Sequence, residues 1–213
     1  MRRERRTRVK ICGITRAEDA AAAVAAGVDA VGVIFAESAR KVTVEQAAEV
    51  LRDVPPGVAR IGVFVDPALE EVETAIAACG LTAVQFSGSE SPELCDSVSV
   101  PVVKAIRIGT DFDSLVLEPY RDHAAALLLD TLVAGKAGGT SQTFDWLAVG
   151  VLPGWAPSFV AGGLNPDNVS ACIDAIHPFA VDVSSGVETA PGVKDHDRIR
   201  AFCAAVRTAD LEA

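Results

Sequence analysis

Short runs of β-branched and other apolar residues recur along the chain. Each ends in Gly, Asp or Ser, and a stretch with helical periodicity follows. The first run is Arg8–Ile14, followed by an Ala-rich helical stretch from Arg16 to Ala26. Ala30–Phe35 precedes a helix over Val44–Arg52, and Arg60–Val65 precedes one that Pro67 is placed to open. Proline suits a first helical position because the N–H it lacks would be unpaired there anyway. Ala83–Phe86 leads to a short helix over Pro92–Ser97, and Val102–Ile108 leads to a weakly patterned stretch from Asp111 to Tyr120. Ala125–Asp130 is followed by a helical pattern over Phe144–Leu152, and Ser158–Ala161 by one from about Pro166 to Ile176. Ala180–Ser184 is the last run, with a final helix over Asp195–Val206.

Eight strands therefore alternate with about eight helices. The strands are apolar on both faces, as in a parallel sheet covered on both sides. Eight such units in 213 residues predict a single (β/α)8 barrel at the small end of its size range. An open doubly wound sheet is the competing topology, and it needs a Gly-rich turn after the first strand. Cys12-Gly13-Ile14-Thr15 is not such a turn. One domain over residues 1–213 is expected, with residues 1–7 a frayed extension carrying Arg2, Arg3, Arg5 and Arg6.

Composition narrows the partners. The net charge of −10 does not attract nucleic acid or an anionic membrane. No stretch reaches the ~18 to 20 apolar residues of a membrane span, and the N-terminus has no signal-peptide pattern. Five cysteines, at 12, 79, 95, 172 and 203, show no paired spacing and no metal-ligand spacing with histidine. A reduced, cytoplasmic protein is the expectation.

In a barrel of this kind the chemistry is built at the C-terminal ends of the strands. Cys12 is the one cysteine placed there. Gly162-Gly163 closes the seventh strand and Ser184-Ser185-Gly186 follows the eighth. Small residues let backbone N–H groups approach an anion, and these two loops are where the fold binds phosphate. Asp130 ends the sixth strand behind Ala126-Leu127-Leu128-Leu129. It reads as a helix cap or salt-bridge partner, or as an acid whose pKa partial desolvation raises. Gly135–Thr140 reads as a candidate lid. Arg40, after the second strand, is either a solvated charge or a clamp for a carboxylate. His123, His177 and His196 are not at strand ends, so no histidine is placed to activate Cys12.

The chain resembles the phosphoribosylanthranilate isomerase family of tryptophan biosynthesis. The matching segments are Val9–Thr15, Gly62–Val65, Ala83–Gln85, Leu128–Asp130, Thr143–Trp146, Ala161–Pro166, Val181–Glu188 and Pro191–Asp195. The resemblance implies a (β/α)8 barrel and the Amadori rearrangement of N-(5-phosphoribosyl)anthranilate to 1-(o-carboxyphenylamino)-1-deoxyribulose 5-phosphate. It implies Asp130 as general acid, Cys12 as general base and Arg40 on the anthranilate carboxylate. Phosphate contacts fall on Gly162, Gly163, Ser184, Ser185 and Gly186, and a ribose-hydroxyl contact on Asp182. No metal or organic cofactor is implied, and the expected assembly is a monomer or a homodimer. Two positions depart from the family pattern: Ser87 stands where it has a histidine, and Ser141 where it has a loop glycine. A different phosphosugar enzyme on a related barrel, or a non-enzymatic phosphosugar-binding module, are the alternative functions.

Overall fold

The computed structural model describes residues 6–109, 112–131 and 152–212. Eight parallel strands form a closed ring in chain order. They are β1 (Arg8–Ile11), β2 (Ala30–Ile34), β3 (Ala59–Phe64), β4 (Ala83–Phe86), β5 (Val102–Ile108), β6 (Ala126–Thr131), β7 (Ser158–Ala161) and β8 (Ala180–Val183). The ring closes where β1 pairs with β8, Lys10 lying opposite Asp182 and Ile11 opposite Val183. The barrel is the one expected. The candidate lid at Gly135–Thr140, the segment Thr143–Trp146, Ser141 and all but the end of the Phe144–Leu152 helix lie outside the described residues.

The helices form where local chemistry allows. α1 (Ala17–Ala26) stops at Gly27, whose φ of 85° gives the left-handed ending that glycine adopts without penalty. Thr43 and Gln46 form a reciprocal capping box at the start of α2 (Val44–Leu51). α3 (Leu69–Cys79) begins two residues after Pro67, not at it. The Glu71 carboxylate accepts from the Ala68 N–H at 3.1 Å, which sets the start there. α4 spans Pro92–Ser97, α5 Val169–Ile176 and α6 His196–Glu212. The stretch before β6 condenses into a 3-10 turn over Ser114–Tyr120. A small hairpin, β9 (Glu188–Ala190) with β10 (Val193–Lys194), was not anticipated from the pattern.

Strand parity divides the core in two. Val9, Ile11, Val31, Val33, Val84, Phe86, Val181 and Val183 pack outward against Ala20, Val72, Ile199 and Phe202. Each fully buried side chain of this size contributes about 1.5–3 kcal/mol. The alternate residues Val103, Ala126, Leu128, Phe159 and Ala180 form a second cluster inside the ring. That apolar floor spans β5 to β8, and polar side chains occupy the interior above it.

Candidate active site

The rim of the barrel sets the candidate residues side by side. Following the ring, β6 carries Asp130, β7 leads into Gly162-Gly163, β8 into Ser184-Ser185-Gly186, and β1 into Cys12. β1 is hydrogen-bonded on to β2, whose loop carries Arg40. All the expected site residues therefore lie on one continuous arc, with the two glycine-rich loops between Asp130 and Cys12.

Cys12 lies one residue beyond β1, which ends at Ile11 and not at Ile14 as expected. The ladder still holds it, since its N–H donates to the Val183 carbonyl at 2.9 Å. Gly13 then turns the chain outward with a φ of 73°. Cys12 is 7% exposed. Burial pushes its thiol above the ordinary range, while Lys10 and Lys194 pull the other way and Asp182 adds to the rise. The other buried cysteines lack this setting. Burial alone pushes Cys172 up to about 12, as expected for an inert core thiol.

Asp130 is half-buried and registers with Arg107 on β5 and Ala161 on β7. Burial pushes its carboxyl up, and the Asp182 charge adds to the rise; Arg107 and Lys10 oppose it. A carboxyl group with a raised pKa is one that can donate a proton nearer neutral pH.

The two glycine-rich loops support each other. Gly162 and Gly163 have φ of 92° and 67°, a conformation that side-chain-bearing residues rarely adopt. Behind them, the Gly163 carbonyl accepts from Asn168 Nδ2 at 3.0 Å. Gly186 packs so closely that a Cβ there would lie 1.9 Å from the Leu164 carbonyl oxygen. Gly186→Ala must force the loops apart, and is expected to cost about 1–3 kcal/mol, read as a lower midpoint in urea denaturation. Ser184 Oγ and Asp182 Oδ1 are buried with no hydrogen-bond partner among the described residues. Buried polar atoms are normally satisfied, so these two are set for hydroxyl or anion groups of a ligand.

Arg40 is not a loose surface charge. Its Nε and Nη2 donate to Glu188 Oε1 and Oε2 at 2.8 and 2.7 Å. This side-on pairing leaves the Nη1 protons for a further acceptor. Glu188 Oε1 also accepts from Lys194 Nζ at 2.8 Å. Lys194 Nζ in turn donates to the carbonyls of Cys12 at 2.6 Å and Ser184 at 3.1 Å. Burial opposes the Glu188 charge, but Arg40 and Lys194 outweigh it and hold the carboxyl below its usual range. The hairpin thus ties Cys12, the β8 loop and Arg40 together. Gly13 completes the junction: a Cβ there would lie 2.6 Å from Arg40 Cδ and 3.0 Å from Ser184 Oγ.

Lys10, Glu188 and Lys194 were not singled out as site residues from sequence, and Gln85 was noted only as a strand-end position. Lys10 did carry a signal, being two residues before Cys12 on a strand and therefore on the same face. Its ammonium donates to Asp182 Oδ2 at 2.7 Å and Gln85 Oε1 at 2.9 Å. Two other charged residues, one just after β3 and one within β5, have structural work. Asp66 Oδ1 accepts from the Ser89 N–H, and Lys104, 1% exposed, pairs with Glu90 at 2.8 Å outside the ring. His196 and His123 contact Asp19 and Asp96, away from Cys12. A groove of about 680 Å³ between α2 and α3, lined by Phe35, Phe64 and Thr74, contains none of the candidate site residues.

Comparison with known proteins bears on this arc. Residues 9–205 match the family model for N-(5'-phosphoribosyl)anthranilate (PRA) isomerase. An N-(5'-phosphoribosyl)anthranilate isomerase of Nitrosospira multiformis is 48% identical over 197 residues, covering 92% of this chain and 94% of that protein. The crystal structure of phosphoribosyl anthranilate isomerase from Thermotoga maritima is 41% identical, with a TM-score of 0.87, covering 95% of this chain and 99% of the other. A solved phosphoribosyl anthranilate isomerase in complex with reduced 1-(o-carboxyphenylamino)-1-deoxyribulose 5-phosphate is 40% identical, with a TM-score of 0.83 and the same coverage.

Proposed function

The chain belongs to the N-(5'-phosphoribosyl)anthranilate isomerase family of tryptophan biosynthesis, and on that premise we propose an acid–base mechanism carried by Asp130 and Cys12. The observation that supports it is the order round the rim: acid candidate, two phosphate-type loops, base candidate, arginine. A substrate with a phosphate at one end and a carboxylate at the other fits that order. The phosphate lies on the loops of Gly162-Gly163 and Ser184-Ser185-Gly186. The anthranilate carboxylate takes the remaining N–H groups of Arg40. Asp182 Oδ1 accepts from a ribose hydroxyl.

The chemistry then needs two proton movements. Asp130 gives its proton to the furanose ring oxygen as the bond from that oxygen to C1 breaks. The anthranilate nitrogen supplies the electron pair, leaving a protonated Schiff base. The Cys12 thiolate removes the proton from C2. The C–H electrons form the C1=C2 double bond, and the C=N pair returns to nitrogen. The enolamine tautomerises to the ketone. Each step of this type contributes about 10²- to 10⁴-fold.

Turnover of the purified protein, followed as loss of anthranilate-type fluorescence from phosphoribosylanthranilate, tests the reading. Steady consumption is the expected result. Binding of the reduced product without consumption would leave a phosphosugar-binding module instead.

The pH profile follows from the two shifts. Activity needs Asp130 protonated and Cys12 ionised, although Asp130 has the lower pKa. Between the two pKa values the fraction in that form is small but constant. Below the Asp130 pKa the thiolate fraction falls, and above the Cys12 pKa the acid fraction falls. The kcat/KM profile is expected to be flat-topped. Its acid limb should lie above the ordinary carboxylate range and its alkaline limb above that of a free thiol, because both groups are raised.

A further inference from the structure

We propose that Lys10 is a positioning residue of this site, the fixed counter-charge that serves Cys12 and Asp130 in turn as one negative charge passes between them. The proposal rests on the assignment of Cys12 and Asp130 as base and acid. In that mechanism the acid becomes a carboxylate when it protonates the ring oxygen, and the thiolate becomes a thiol when it takes the C2 proton. The net charge of the site does not change. One unit of negative charge moves from the end of β1 to the end of β6. A cation that bears on both positions stabilises each state without moving.

Lys10 has the placement this needs. It lies two residues before Cys12 and points to the same interior face. It is 1% exposed, and its ammonium spans the ring from β1 to β8 and β4. The Gln85 amide nitrogen donates to Ser87 Oγ at 3.0 Å, which turns the amide oxygen toward Lys10. Gly32 on β2 makes room for the arrangement. A Cβ there would lie 3.0 Å from Cys12 Sγ and 3.2 Å from Lys10 Cε, so both side chains rest on the same glycine. Burial works against the ammonium, but Asp182 and then Cys12 outweigh it and hold its pKa above the usual lysine range. The Asp130 carboxyl is raised overall by burial and Asp182, and the same Lys10 ammonium, after Arg107, opposes that rise.

Several charged groups face Cys12. Lys10 comes from β1, Asp182 from β8, Lys194 from β10 and Arg40 from the loop after β2. Gln85 of β4 is neutral, and Asp130 faces Asp182 and Lys10 from β6, with Arg107 beside it on β5. Among the described cations bearing on the thiol, Lys10 is also the one that bears on Asp130. Asp182 competes with the thiolate for it.

That competition gives a test with two signs. The Cys12 thiolate is titrated by its ultraviolet absorbance, as the difference between each protein and its Cys12→Ser counterpart. Lys10→Met is expected to raise the midpoint by about 1 to 3 pH units. Asp182→Asn, which leaves Lys10 to the thiolate alone, is expected to lower it. A merely structural lysine would not produce opposite movements. An unmoved midpoint in Lys10→Met, or movement of both variants in one direction, overturns the proposal. Should circular dichroism show Lys10→Met unfolded, Asp182→Asn decides: a fall supports the proposal, and no fall or a rise overturns it. Turnover of Cys12→Ala separates this from the parent reading. If that variant stays active the acid–base assignment fails, whereas an essential Cys12 with an unmoved midpoint removes only the role of Lys10.

Discussion

Asp130→Asn is expected to lower kcat by about 10²- to 10⁴-fold while the reduced product binds nearly as tightly as to the parent protein. The amide keeps the size and the position on β6 but has no acidic proton for the ring oxygen. The contacts described for the two glycine-rich loops do not run through the Asp130 side chain. Gly163 is held by Asn168, and Gly186 rests on the Leu164 carbonyl. Cys12→Ala is expected to show a loss in the same range, since its backbone N–H keeps the bond to Val183. Steady-state turnover with calorimetric binding of the reduced product checks both. Parent-like turnover in either variant would remove that residue from the chemistry. A loss of binding equal to the loss of turnover would instead make it a contact for the ground state.

Glu188→Gln is expected to be the most destabilising of the conservative changes at this end of the barrel, by about 3–5 kcal/mol. The Lys194 side chain is fully enclosed and that of Glu188 is 4% exposed. Neutralising the carboxylate leaves a buried ammonium with only carbonyl oxygens for partners, and leaves Arg40 unpaired at the rim. Removing both ends of the pair is less costly than removing one. The double variant Glu188→Gln with Lys194→Met should therefore recover part of the loss. Urea denaturation of the parent, the single variant and the double variant measures this. A single variant within about 1 kcal/mol of the parent would show that the pair is not needed for folding.

The barrel was legible because each strand is an apolar run that stops at a turn residue, and that pattern repeats without a gap up to Val183. The strand ends then narrowed the chemistry to a few positions, and Cys12, Asp130, Gly162-Gly163 and Ser184–Gly186 do meet on one arc. Other features were not legible, for physical reasons. β9 and β10 are three and two residues long, too short to show an alternation. Lys10 and Lys194 look like ordinary lysines in sequence. Their partners Asp182 and Cys12 are 172 and 182 positions away, and only ring closure reveals that these ammonium groups are buried. Arg40 had two readings, and its pairing with Glu188 depended on a hairpin that the pattern did not show. The start of α3 was misplaced because Glu71, not Pro67, determines it.

Closing the ring through β1 and β8 has a consequence for how the protein comes into being. β1, just before the thiol, leaves the ribosome ahead of the other seven barrel strands, and β8, which pairs with it to close the ring, follows them all. Throughout synthesis Lys10 lacks its carboxylate partner, Cys12 lacks the Val183 carbonyl, and β1 has one unpaired edge. Contacts between such distant parts of a chain form slowly because a large loop must close first. Lys10 and Cys12 acquire their closed surroundings only when β1 and β8 meet, so an unfinished copy holds neither side chain in the setting described above.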